Sequence, residues 1–372
     1  MSELKEYRPT LSVIIPCRNE ARFIGKCLDS VLMNGYPVEQ LEILVVDGMS
    51  DDGTRTIAQS YADRYQQIRV LSNPRRAIPC AINIGVAEAA GEILMRVDAH
   101  TVLENEYIER CARVLMEYGA ADVGGKLRIV ARDDTFIGRT IVKALTQRVG
   151  VGNLRYRFAQ AEKPEVVDTV PFFCCRREVF EKIGPFNEKL ARVEDVEWKR
   201  RLVRAGGRIM LVPGAVAVYQ ARSQLSAFWK HNLSDGMWVT LGFGRSELMP
   251  VPWRHLAPPA LVGTLLCFGL GAIWSKGLLA VFLTIFGGYF LTLVAVSSKK
   301  AAADRDWSAS LLLPFLTMSM HLMRGFGSVW GVLRLTLEGR LPHAIRLLWK
   351  ERSFRRTSTP LLTGGLEGKQ SG

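Results

Sequence analysis

Three short acidic stretches carry the residues best suited to chemistry. Asp98-Ala99-His100 closes the apolar run Ile93 to Val97 (ILMRV), so a carboxylate and an imidazole project from one turn. Carboxylate oxygen and imidazole nitrogen at that spacing suit Mg2+ or Mn2+ bridging a diphosphate. Such a cation offsets the negative charge that a departing nucleoside diphosphate gains. D-x-H is also the pattern of a plain turn cap, so it needs context. Asp47 ends a second apolar run, Leu41 to Val46, where its carboxylate can accept hydrogen bonds from a ribose or a base edge. The turn Ser50 to Thr54 then offers backbone N–H groups near a helix start. Glu194-Asp195 opens an amphipathic stretch, and the dipole at a helix start favours the ionised carboxylate. An ionised Asp195 facing an acceptor hydroxyl can take its proton during displacement at an anomeric carbon. Arg75 and Arg76 are candidate counter-charges for phosphate, against the commoner fate of a solvated basic pair.

These residues need a scaffold that gathers distant segments. Leu11 to Pro16 (LSVIIP) is rich in β-branched residues and reads as a buried strand. Phe23, Ile24, Cys27, Leu28, Val31 and Leu32 follow at helical spacing. The rhythm continues with a strand at Leu41 to Val46, a helix from Thr54, a strand at Ile68 to Leu71, a helix at Pro79 to Ala90 and the strand before Asp98. Apolar strands alternating with helices predict an α/β fold, a Rossmann-like and mainly parallel sheet covered on both faces. Ligands of such sheets bind beyond the carboxyl ends of the strands. Those ends carry Pro16, Arg18, Asn19 and Glu20, then Asp47, then Asp98 and His100. Farther on, the pattern predicts a helix at Asn105 to Tyr118, a strand at Val123 to Val130 and a strand at Pro171 to Cys175. A helix follows at Val193 to Ala205, whereas Arg132 to Arg157 is basic and poorly patterned.

The chain has 372 residues, 48% of them hydrophobic, which excludes a wholly disordered or collagen-like protein. Its net charge of +13 is unevenly placed. Residues 1–245 hold 35 basic and 30 acidic side chains, whereas 246–372 hold 14 and 6 around long apolar runs. A basic excess beside apolar spans, without a helix-turn-helix or zinc module, points to a membrane rather than to nucleic acid. Seven cysteines without C-x-x-C spacing fit neither a zinc cluster nor a disulfide framework and indicate a reducing compartment. The N-terminal segment has no secretory h-region, which leaves the first 245 residues on the cytoplasmic side.

Two apolar stretches at about 257–275 and 277–297 each have the length that crosses roughly 30 Å of hydrocarbon. Lys276 alone separates them, which predicts a hairpin. A third stretch at about 308–323 ends at Arg324 and reads as interfacial, re-entrant or a short span. Two spans return the chain to the cytoplasm at Lys299, Lys300 and Arg305, in keeping with the positive-inside rule. Trp229, Trp238 and Trp253 before the first span, and a basic amphipathic segment from 334 that includes Arg340 to Arg356, suit an anionic lipid surface. Residues 357–372 read as a disordered tail. The organisation expected is a nucleotide-binding unit at 1–245, a membrane region at 246–333 and a basic segment and tail at 334–372.

Four blocks carry a resemblance: LSVIIPCRNEARFIGKCLDSVL, EILVVDGMSDDGT, AINIGVAEAAGEILMRVDAH and GPFNEKLARVEDVEWKRRL, in that order. Together they resemble the family 2 glycosyltransferases of GT-A fold over about residues 10 to 245. Within that family the chain is most similar to the membrane-associated transferases of bacterial exopolysaccharide assembly, of the succinoglycan type. The resemblance implies a hexosyltransferase that inverts configuration and is non-processive. It implies a nucleotide-sugar donor, UDP-linked, and a saccharide on a polyprenyl diphosphate as acceptor. Carried over by motif, Pro16, Arg18, Asn19 and Glu20 flank the nucleoside, Asp47 contacts uracil or ribose, and Asp195 is the general base beside Glu194. Asp98 and His100 take the metal-diphosphate role with Mg2+ or Mn2+, and Arg222 contacts diphosphate or acceptor. A multi-pass protein of the bacterial inner membrane, working with other polysaccharide-assembly proteins, is the setting implied.

The chain departs from the family at His100, where a second Asp is usual. No Q-x-x-R-W follows Asp195; Gln220 and Arg222 lie there without the tryptophan, which argues against a processive synthase. Asp235-Gly236-Met237-Trp238 stands in the place of an aromatic-glycine element. Other acceptors, a membrane lipid or a polyprenyl phosphate, fit the same chemistry. An inactive membrane scaffold of the same fold is opposed by the intact Asp98 and Asp195.

Overall fold

The computed structural model describes residues 8–152, 154–158, 162–248 and 253–348. The first quarter of the chain alternates as expected: β1 (Leu11–Cys17), α1 (Ile24–Leu32), β2 (Leu41–Asp47), α2 (Thr54–Ala62), β3 (Ile68–Ser72), α3 (Ile78–Glu88) and β4 (Ile93–Arg96). Then come β5 (Thr101–Leu103), α4 (Tyr107–Glu117), β6 (Asp122–Ala131), α5 (Phe136–Leu145), α6 (Arg148–Val151) and α7 (Arg155–Phe158). They lead to β7 (Glu165–Val166), β8 (Cys174–Arg176), α8 (Arg177–Ile183), α9 (Glu194–Arg204) and β9 (Ile209–Ala221). The chain continues through α10 (Leu225–Arg245), α11 (Ala257–Gly271), α12 (Lys276–Ala303), α13 (Ser308–Leu337) and a helix at 341–348.

The main sheet runs β3-β2-β1-β4-β8, parallel except for β8 at its edge. Period-two alternation explains why β1 is buried on both sides. Val13 and Ile15 join Ile24, Cys27, Leu28 and Val31 of α1 in one apolar cluster, while Ile14 joins Leu44, Val46, Ala81 and Ile82 in another. Each fully buried aliphatic side chain contributes roughly 1.5–3 kcal/mol. A second sheet, β5-β9-β6, extends this core. Its long β9 contains Pro213 and Gly214, turn residues that hide a strand from pattern reading.

Residues 132–157 contain helices despite their weak pattern. Thr135 caps α5, its Oγ1 accepting from the Gly138 N–H at 3.0 Å. The buried Ile141 and Ala144 pack on Phe228 of α10 and on Leu313, Leu316 and Met320 of α13. The apolar partners of α5 are thus far downstream, which local periodicity does not reveal. The strand expected at Pro171 to Cys175 starts only at Cys174, after Phe172 with its φ of 60°.

The apolar third differs from the expected pair of spans. The first run forms only the 15-residue α11, about 22 Å long and short of the hydrocarbon thickness. It ends in a turn, and Ser275 caps α12 by accepting from the Leu278 N–H. Among the described residues α12 is the helix long and apolar enough to cross a membrane, with 28 residues and a mean hydropathy of 2.3 in its most apolar window. The third run does not stop at Arg324: α13 continues to Leu337, with Pro314 inside it. Lys143 of α5 pairs with Asp306 at 2.7 Å and with Asp304 at 3.6 Å, so the turn after α12 lies against α5. Residues 349–372, including most of the basic segment and the tail, lie outside the described residues, as does the stretch 249–252 before Trp253.

Glycines set the close approach of α10 to α13. A Cβ at Gly236 would lie 1.8 Å from the Arg324 carbonyl oxygen, and one at Gly327 would lie 2.0 Å from that of Leu233. Gly236→Leu is expected to lower the thermal unfolding midpoint of the detergent-purified protein, the overpacking costing about 1–3 kcal/mol or more. Gly263→Ala, with nothing within 4 Å of its added carbon, is expected to leave the midpoint unchanged or raise it slightly.

Candidate active site

The parallel register aligns the ends of β1 and β2, with Cys17 opposite Asp47, and Ile14 of β1 stands opposite Arg96 of β4. Beyond these ends lies a cavity of about 130 Å³, lined in part by Pro16, Arg18, Glu20, Arg76, Asp98 and His100. The structure thus gathers six of the candidate residues around one hollow.

Three other candidates hold that hollow's wall together. Asn19 bonds Asp51 in both directions, Nδ2 donating to Oδ1 at 2.9 Å and the Asp51 N–H donating back at 3.1 Å. The Asp47 carboxylate is 1% exposed; it accepts from the Ser50 N–H at 3.3 Å and faces Arg55 at 3.7 Å. The N–H groups of Ser50, Asp51 and Thr54 already donate to Asp47, Asn19 and Asp52, so this turn is a brace rather than an open anion cradle. Arg75 pairs with Glu188, which also accepts from Asn83 at 3.1 Å, and only its neighbour Arg76 lines the cavity.

A residue that sequence reading missed organises the acids. Arg96 of β4 is 7% exposed. Its Nε donates to Asp98 at 2.7 Å and one terminal nitrogen donates to Glu194 at 3.3 Å, while the charge of Asp195 also acts on it. Burial would discharge the guanidinium, but these three carboxylates hold its pKa above the usual range. Burial, reinforced by Asp195, pushes Glu194 up to about 7, with Arg96 opposing. The detectable signal in the sequence was a single charge inside an otherwise apolar strand.

Helix α9 holds Glu194 and Asp195 in place. Trp198 is fully buried against Phe173, Phe180 and Phe186, with ring centroids 5.5–5.9 Å away, and its indole donates to the Gly184 carbonyl at 3.0 Å. Lys199 donates to the carbonyls of Val170 and Phe172 and lies 3.7 Å from the buried Asp122, whose pKa burial pushes up to about 6. The Asp195 carboxylate accepts from the Val196 N–H at 2.8 Å. Val193, just before, has φ 59°; Asn19, Met49 and Arg76 beside the cleft share the left-handed region, at φ 57–58°. Left-handed backbone at non-glycine positions costs about 1–3 kcal/mol each and clusters at functional sites.

The residues fit a divalent cation shared with a diphosphate. His100 Nδ1 lies 3.1 Å from Glu20 Oε1, which fixes the ring, while its buried Nε2 has no hydrogen-bond partner. The ring edge packs on Tyr219, centroids 4.9 Å apart. Asp98 and His100 would supply two ligands, and a substrate diphosphate the others. No cluster of three His, Cys, Asp or Glu side chains able to hold an ion alone occurs among the described residues. Arg222 follows β9; its charge acts on Tyr219 and on His231, and it has no ion pair among the described residues.

Residues 12–184 match the model of Glycosyl transferase family 2. The chain is 29% identical over 223 residues to Glycosyltransferase AglE of Haloferax volcanii, covering 58% of this chain and 68% of that one. It is 29% identical over 252 residues to succinoglycan biosynthesis protein ExoA of Rhizobium meliloti, covering 67% and 72%. In fold it is similar to the mannosyltransferase PcManGT from Pyrobaculum calidifontis, solved with GDP-Man and Mn2+. That match has a TM-score of 0.57 at 19% identity and covers 87% of this chain and 88% of the other.

The raised pKa of Glu194 has a pH signature. A carboxyl whose folded pKa exceeds its unfolded value favours the fold in its protonated form, so stability falls as pH rises from about 4.5 to 7. Glu194→Gln is expected to flatten that decline, by up to about 3 kcal/mol at pH 8, in denaturant unfolding measured across pH 4–8.

Proposed function

We propose that this protein, a glycosyltransferase carrying a family 2 domain of GT-A fold, transfers a hexose from a UDP-sugar with inversion to a saccharide on a polyprenyl diphosphate. The reaction belongs to exopolysaccharide assembly at the inner face of a bacterial membrane. The observation that carries this reading is the Arg96 bridge. One buried guanidinium joins the acid of the diphosphate side, Asp98, to the acids of the acceptor side, Glu194 and Asp195.

In this reading Asp195 accepts the proton of the acceptor hydroxyl as that oxygen attacks the anomeric carbon from the face opposite the nucleotide. Glu194 and Arg96 fix the position of Asp195 and keep the cleft's charge balanced. Pro16, Arg18, Glu20 and Arg76 line the donor pocket, and Asn19 and Asp47 hold its wall. A cation on Asp98 and His100, when bound, would offset the charge gathering on the leaving diphosphate. The mannosyltransferase of similar fold is described with Mn2+, which supports Mn2+ or Mg2+ here.

The apolar helices support a lipid-linked acceptor. Leu283 of α12 is 56% exposed and Leu291 68%, and Trp274 at the α11–α12 turn is 79% exposed. Such surface belongs in lipid. The α11–α12 hairpin, entering from the side of Lys299, Lys300 and Arg305, would keep the cleft near the bilayer and raise the effective concentration of acceptor.

The test is mass spectrometry of lipid products formed by the full chain in membranes from a mixture of nucleotide-sugars. A lipid diphosphate gaining one hexose, its anomeric configuration by NMR the inverse of the donor's, supports the reading; a glycosylated diacylglycerol or polyprenyl phosphate overturns the acceptor assigned. Asp195→Asn is expected to lower kcat about 10²–10⁴-fold with UDP binding intact. For Asp98→Ala, titration of UDP should lose its enhancement by Mn2+, and an undiminished enhancement would remove Asp98 as a ligand.

A further inference from the structure

Between the cleft and helices α10 and α13 the structure collects arginines, one of which, Arg132, faces Glu20 of the cavity lining at 3.7 Å. Arg132 donates to the Gln220 carbonyl at 3.3 Å, two residues before Arg222, and α7, which carries Arg157, packs on β6. Arg192 lies 3.1 Å from His231 of α10, and α13, which carries Arg324, meets α6 where His321 Nε2 lies 3.3 Å from the Gly150 carbonyl. These side chains come from the end of β6, from α7, from the segment after β9, from the loop before α9 and from α13, so the fold alone assembles them.

The nearby carboxylates are already engaged. Asp235 receives a 2.5 Å hydrogen bond from Arg192 and lies 3.3 Å from His231, and Glu20 is held by His100, with Arg132 at 3.7 Å. Arg157 donates to the Leu145 carbonyl at 2.9 Å, yet its Nε is buried without a partner, as is that of Arg324. Arg222 has no ion pair among the described residues and is half-buried. Half-buried guanidinium groups lacking carboxylates are costly in an empty protein, and an anion offsets that cost. A diphosphate presents the oxygens that the guanidinium fork matches.

We propose that Arg157, Arg222 and Arg324 form the seat for the diphosphate of the lipid-linked acceptor, separate from the donor's diphosphate site at Asp98 and His100. This rests on the reading above that the acceptor is a lipid diphosphate. Position supports it. One end of the cluster reaches Tyr219, which packs on His100, so a sugar beyond the diphosphate points at the reacting acids. The other end is α13, which packs on both α11 and α12 and exposes Phe326 at 41%, Val329 at 44% and Trp330 at 57%. A molecule with a sugar, an anion and an apolar tail in that order matches a surface ordered as acids, arginines and exposed apolar groups.

The test measures binding of farnesyl diphosphate to the full chain in neutral detergent, with no sugar donor present. Tight binding by the parent, absent for farnesol, and about tenfold weakening in Arg222→Gln and in Arg157→Gln are expected. Arg222→Lys is expected to recover part of the loss, and UDP affinity with Mn2+ should stay within about twofold in every variant. Unchanged farnesyl diphosphate binding in both glutamine variants would overturn the proposal. So would UDP affinity falling in step, which would give the arginines to the donor. Inorganic diphosphate binding as tightly as farnesyl diphosphate would assign the seat to a soluble anion and overturn the lipid headgroup. Because no transfer is read, a protein that binds farnesyl diphosphate in this way yet glycosylates no lipid diphosphate sinks the function proposed above and leaves the seat standing.

Discussion

The arrangement depends on one buried charge. Arg96 sits inside a parallel sheet, where an unpaired guanidinium would be untenable, and is kept by Asp98, Glu194 and Asp195. The converse holds too: three carboxylates crowded at a strand end would repel one another without it. The guanidinium therefore ties the end of β4, beyond which Asp98 lies, to the start of α9, which carries Glu194 and Asp195. Removing either partner of such a contact leaves the other buried and unpaired, so geometry and charge are locked together.

The locking extends outward through α9. Trp198 is wedged among three phenylalanines, and Arg201 donates to the carbonyls of Ile183 at 2.6 Å and Pro185 at 2.7 Å. A helix held at its start by Arg96 and along its length by these contacts has little freedom to move Asp195. Rigid placement is what the base role proposed for Asp195 requires. The left-handed residues around the cleft are affordable only because this surrounding structure over-determines them.

The helical appendage joins the catalytic unit by packing rather than by a tether. Glycines at 236, 327 and 331 let α10 and α13 meet almost backbone to backbone, and α5 closes against both. The apolar helices α11 and α12 are thereby fixed relative to the cleft. That coupling joins the exposed apolar surface of α12 to the unit that carries the cleft.

The four parallel strands up to Arg96, their order of appearance and the polar groups at their ends were legible from residues alone. A buried parallel strand must be apolar throughout, and its end must be where polar residues resume. Asp98 and His100 were visible for the same reason, and Glu194 and Asp195 as acids at the start of an amphipathic helix. Arg96 was not, because Asp98 is its one partner nearby in the chain and Glu194 lies 98 positions away. Arg75 and Arg76 look alike in sequence, yet a salt bridge to Glu188 takes one and a positive φ turns the other to the cavity. The length of α11, the continuation of α13 through Arg324 and the helix within 132–157 likewise depend on partners distant in the chain. Local pattern determined which segments bury apolar surface and which residue types reach the sheet's edge. Only tertiary packing decided which charges meet, since electrostatic pairing follows distance in space and desolvation, neither of which spacing along a chain records.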